Sequence, residues 1–165
     1  MTSGWIPRFA DLTGKAVVVA AGDGWPFADV VAGLAANGAL IAVVSADRVE
    51  VDQAVFELAA DPSSPAVWER VAAQVEQRLG PIDVAVAMGD VALREVVRAA
   101  LAPDMAARRR GVLVEIDTRV EIPDLAPGLR HRGIECNSPD ADLAATVLLC
   151  ASDSLASPVL KISFS

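Results

Sequence analysis

Four carboxylates, Asp23, Asp90, Glu115 and Asp117, lie at or just beyond the ends of apolar, β-branched runs. If those runs are parallel strands, their carboxyl ends share one edge of a sheet, the edge where α/β folds bind ligands. Carboxylates gathered there would raise one another's pKa and yield a general base. Thr118, beside Asp117, adds a hydroxyl able to polarise a carbonyl. Gly22-Asp23-Gly24 is a tight turn of the kind that presents backbone N–H groups to an anion. Against this, the chain holds a single histidine, His131, and no tyrosine, so two of the commonest proton-transfer side chains are nearly absent. No carboxylate spacing argues for Mg2+, and no metal is expected. The competing reading of all four acids is that an acidic chain carries acidic loops; for His131 it is a surface side chain leading into a strand.

The elements that would position these groups alternate. Val17-Val18-Val19 suits a strand buried on both faces of a parallel sheet. The glycine turn follows, with Pro26 in the first turn of a helix. Gly38 stops that helix, and Leu40 to Val44 is the second strand. A short third strand is expected over Val55 to Ala59, then turn chemistry in Asp61-Pro62-Ser63-Ser64-Pro65. Val67, Val71, Val75 and Leu79 form one stripe of a helix from Ala66 to Leu79. Ile82 to Met88 is the fourth strand and Gly89-Asp90 its turn. A helix over Val91 to Arg109, bent at Pro103, leads to a fifth strand at Val112 to Ile116. Thr118 to Arg130 reads as a proline-rich loop, Gly133 to Cys136 as the sixth strand, Ala141 to Ala151 as a helix and Pro158 to Phe164 as the seventh strand. Residues 1–165 thus form one doubly wound, Rossmann-like α/β domain. Its mostly parallel sheet has about seven strands joined by right-handed crossovers.

The order of these pieces resembles the short-chain dehydrogenase/reductase family over nearly the whole chain. The echoes are Leu12-Thr13-Gly14-Lys15 before the first strand, Leu34 to Ala39 closing the first helix, Leu79-Gly80-Pro81-Ile82-Asp83-Val84, Met105 to Val114, Gly133-Ile134-Glu135-Cys136-Asn137, and Leu149 to Asp153 in the last helix. The resemblance implies a dinucleotide on the first turn, with Gly22, Asp23, Gly24, Ser45, Asp47, Asp61 and Gly89 as the candidate contacts. It also implies a catalytic hydroxyl, for which Thr118 takes the slot. Yet the family's three loop glycines are replaced here by Ala21, Trp25 and Phe27, which puts bulk where phosphate should sit. Asp61 and Asp47 also read plainly as a helix cap and a solvated turn residue. Asp90 stands near the position of the family's catalytic asparagine, and chance placement in a turn explains it equally. The family's tyrosine-and-lysine helix between the fifth and sixth strands has no counterpart, because the chain is shortened there. Without that pair, hydride transfer loses its proton donor and its cofactor clamp.

Composition narrows the remaining classes. The chain carries a net charge of −8, with Arg108-Arg109-Arg110 its one basic cluster. That triplet suits a helix end, and nucleic acid binding is not expected. No apolar run reaches membrane-spanning length, and the first twelve residues lack the pattern of a signal peptide. Cys136 and Cys150 are expected as buried free thiols in a reducing cytoplasm. The expectation is a protein without a cofactor that is inactive alone and associates through residues 140–165, with itself or with a full-length relative. The alternatives are an oxidoreductase holding NAD or NADP in a shifted pose, and a small-molecule or acid–base protein using the vacated crevice.

Overall fold

The computed structural model describes residues 11–22, 25, 27–47, 51, 55–109, 111–117, 119–120, 129–136, 146–147, 150–151 and 159–164. Among these, seven strands make one sheet in the order β3-β2-β1-β4-β5-β6-β7. The strands are β1 (Ala16–Ala21), β2 (Leu40–Ser45), β3 (Phe56–Ala59), β4 (Ile82–Met88), β5 (Val112–Asp117), β6 (Arg130–Cys136) and β7 (Val159–Phe164). Every neighbouring pair is parallel. The helices are α1 (Phe27–Ala36), α2 (Pro65–Leu79) and α3 (Val91–Ala107). Residues 146, 147, 150 and 151 are also helical. The expected Rossmann-like α/β fold is therefore present.

β1 and β4 lie at the centre and are buried at every position, as expected for strands covered on both faces. Alternate side chains feed two cores. Val17, Val19, Val43, Val84 and Val86 pack with Val30, Val31 and Leu34 of α1. Val18, Ala20, Val44, Ala85 and Leu113 pack with Trp68, Val71 and Val75 of α2 and Val97 and Leu101 of α3. The register of β1 on β4 shifts between Ala16 and Val17, where the buried Asp83 carboxylate accepts from the Ala16 N–H at 3.1 Å. At the far edge Arg78 lies over the Phe56 ring, 4.9 Å from its centre.

Several boundaries differ from expectation. β6 starts at Arg130 rather than Gly133. Its first residues, Arg130-His131-Arg132, look like loop on charge alone, yet His131 and Arg132 are buried. α3 ends at Ala107 and continues through Pro103. The lost N–H faces the carbonyl of Ala99, and both residues are exposed, so water can take that carbonyl. The expectation of uniformly right-handed crossovers needs correction. α3 and Leu129 lie on one face of the sheet, whereas helical Val147, Cys150 and Ala151, between β6 and β7, pack on the α1 face. Since β4-β5-β6-β7 runs in one lateral direction, the β6–β7 connection has the opposite hand to β4–α3–β5, a rare arrangement.

Gly38 ends α1 at φ +93°, and a Cβ there would come within 2.9 Å of the Thr13 Cα. Both the conformation and the lead-in to β1 depend on it. Gly38→Ala should therefore cost roughly 2 kcal/mol or more, read as a lowered midpoint of thermal unfolding.

Candidate functional site

The site that chemistry requires is the carboxyl edge of the sheet, where β1 and β4 part company in chain order. β1 ends at Ala21, and Gly22 closes the gap to its neighbour by donating its N–H to the Met88 carbonyl at 2.8 Å. Gly89 does the same one strand further, donating to Ile116 at 3.1 Å. A Cβ on Gly22 would lie 3.5 Å from Leu93 Cδ1, and one on Gly89 only 3.0 Å from it. The first turn of α3 thus presses Leu93 against both glycines. Trp25, partly buried, packs on the α1-side core. Asp23, Gly24 and Thr118 lie outside the described residues, as do the side chain of Phe27 and most of 137–158.

The remaining candidates are each engaged locally. Asp90 is the N-cap of α3, its carboxylate accepting from the Leu93 N–H at 3.0 Å. This is the local role that a carboxylate performs best at a helix start. Ser45 Oγ accepts from the Asp47 N–H at 3.3 Å, and Asp47 itself is exposed. Asp61 accepts from both the N–H and the hydroxyl of Ser63, at 3.0 and 2.7 Å. Those bonds hold its carboxyl below the ordinary range. They make a turn rather than a helix cap: the N-cap of α2 is Ser64, which makes no side-chain capping bond.

The two acids on β5 meet cations. Glu115 is fully buried and Asp117 partly so. Arg98, one turn beyond Arg94 on α3, donates to Glu115 through Nε at 3.1 Å and Nη2 at 2.7 Å, a two-pronged geometry that suits a guanidinium on a carboxylate. His131 Nε2 also contacts Glu115 Oε2. Arg94, 4 % exposed in its side chain, has Nη1 3.5 Å from Glu115 Oε1 and Nη2 3.1 Å from Asp117 Oδ2. Its Nε and Nη2 also donate to the carbonyls of Gly89 and Arg119, both at 3.1 Å. Burial pushes the Glu115 carboxyl up, but hydrogen bonds from His131 and Arg98 and their charges outweigh it, and the group lies below its ordinary value.

Sequence reasoning found Glu115 and Asp117 but not their partners. His131 is buried in β6 rather than on the surface, and its Nδ1 meets no partner among the described residues. The signal was present: Arg94 and Arg98 share a helix face with Val97 and Leu101, and Glu115 interrupts the apolar run Val112-Leu113-Val114. Among the described residues no group of three or more His, Cys, Asp or Glu side chains could hold a metal ion. Cys136 and Cys150 are buried and in no disulfide, and burial pushes Cys150 up to about 11 although Arg132 opposes the shift.

No protein-family model and no curated protein sequence matches the chain. Solved structures do. A short-chain dehydrogenase from Leptospira borgpetersenii, described with bound NAD+, superposes with a TM-score of 0.72 at 10% identity, covering 99% of this chain and 96% of that one. A short-chain type dehydrogenase/reductase from Mycobacterium marinum gives 0.68 at 14% identity, covering 93% and 95%. A variant of the Serratia marcescens short-chain dehydrogenase/reductase gives 0.68 at 16% identity, covering 93% and 96%. The fold is that of the short-chain dehydrogenases/reductases, and no helix among the described residues is long and apolar enough to cross a membrane.

The ion-pair network sets a pH response. A carboxyl whose folded pKa is depressed contributes stability that is present above its unfolded pKa and is lost as pH falls through the folded value. Glu115→Gln should cost about 3 kcal/mol at neutral pH by leaving buried arginines undercompensated. In chemical denaturation followed from pH 7 downward, the variant should lose less stability than the wild type below about pH 4.5, the ordinary value for the group.

Proposed function

We propose that this chain is a non-catalytic protein of the short-chain dehydrogenase/reductase fold. In this reading it acts by association, with a second copy or with a full-length relative, through residues 140–165. One observation carries the first half. Four described polar side chains along the crevice edge are engaged internally, Asp90 with α3, Ser45 with the Asp47 turn, Asp61 with Ser63 and Asp117 with Arg94, while Asp47 is exposed. A dinucleotide needs open backbone at its phosphates and free polar groups at its riboses. Here Leu93 lies tightly over Gly89, and Trp25 stands where the phosphate loop of such folds has glycine. The residues present do not fit that group, and no reaction step is built on one. The second half rests on the apolar composition of residues 140–165 alone, since a two-fold partner needs an apolar face to cover; Val147 and Ala151 of that stretch are buried against the sheet and belong to no such face.

The alternative, NAD or NADP in a shifted pose, draws support from the NAD+ described with the Leptospira structure. Adding NADH or NADPH to millimolar concentration should leave Trp25 emission unchanged, and sedimentation should show a species larger than the monomer. Saturable quenching would favour the alternative. A strictly monomeric profile, with no dehydrogenase co-purifying from the source, would end the association reading.

A further inference from the structure

Arg94 stands where local rules disfavour it. It is the fourth residue of α3, and a cation close to a helix N-terminus opposes the helix dipole. It is also 3 % exposed, so its placement must be compensated by tertiary contacts. Those contacts come from three separate stretches of chain: the Gly89 carbonyl after β4, Glu115 and Asp117 on β5, and the Arg119 carbonyl after β5. Four oxygens, two of them on carboxylates, thus surround one planar group with five N–H donors, a match that Arg makes and Lys does not.

We infer that Arg94 is an internal staple seated in an oxygen cage at the carboxyl ends of β4 and β5, and that the cage is a guanidinium-binding site in its own right. The inference rests on the proposed loss of ligand chemistry at this edge, which it deepens: the fold's ligand edge is held by the chain's own cation. The staple fixes the turn after β4 to the exit of β5. It also takes up Asp117 at the end of β5.

Chemical rescue tests this. Arg94→Ala should lower Tm by roughly 10 °C. Ethylguanidinium chloride at tens of millimolar should restore part of that loss saturably, against matched sodium chloride. The wild type and the double variant Arg94→Ala/Asp117→Asn should gain nothing. Absence of saturable rescue, or equal gain in the wild type, overturns the inference. Should Arg94→Ala not fold, Arg94→Lys serves: a point charge cannot span these oxygens, so a Tm drop of several degrees is expected, and wild-type Tm contradicts the staple. A parallel NADH titration of the wild type separates the two ideas, because cofactor binding there refutes the proposed function and leaves the rescue result standing.

Discussion

The fully buried Glu115 carboxylate is the constraint around which this edge of the molecule is arranged. An ionised group inside the sheet is tolerated only with partners close by. Arg98 and His131 supply them, and Arg94 extends the pairing outward to Asp117. The consequence is geometric. α3 is held to β5 by directed bonds at two successive turns, in addition to the apolar contacts of Val97 and Leu101. Directed bonds fix the rotation of a helix about its axis, which apolar packing leaves softer.

That rotation bears on function. With Arg94 and Arg98 turned toward β5, Leu93 lies against Gly22 and Gly89, and Asp90 is placed to cap the helix. The engagement of Asp90 and Asp117 and the position of Leu93 thus follow from a single docking of α3. The same network occupies the α3-side face of β5 and β6, where the family pattern would require a catalytic helix. Only residues 118–129 link these two strands, about the shortest span that a parallel crossover allows.

Much of the fold was legible in the sequence because its strands are runs of β-branched and small apolar residues separated by glycine and proline punctuation. The fourth strand, Ile82–Met88, matches residue for residue. The third begins at Phe56, one residue later than expected. Charge was the misleading signal. Arg130-His131-Arg132 reads as loop because three basic residues rarely enter a core, yet they open β6, with Glu115 available across the sheet. The hand of the β6–β7 connection was not legible at all, since no local pattern states which face a helix will choose. The candidate site was half legible: the carboxylates announce themselves, while their arginines sit on another element and become partners only once α3 is docked.

A double-mutant cycle between Arg98→Met and Glu115→Leu tests the central claim most directly. The methionine and leucine side chains keep much of the volume while removing both charges, so the pair alone is interrogated. The account predicts that each single change is strongly destabilising and that the double variant recovers a large share, a coupling of about 2 kcal/mol or more. Losses that simply add, with coupling below roughly 0.5 kcal/mol, would contradict it and show that the Arg98–Glu115 pair does not hold α3 on β5.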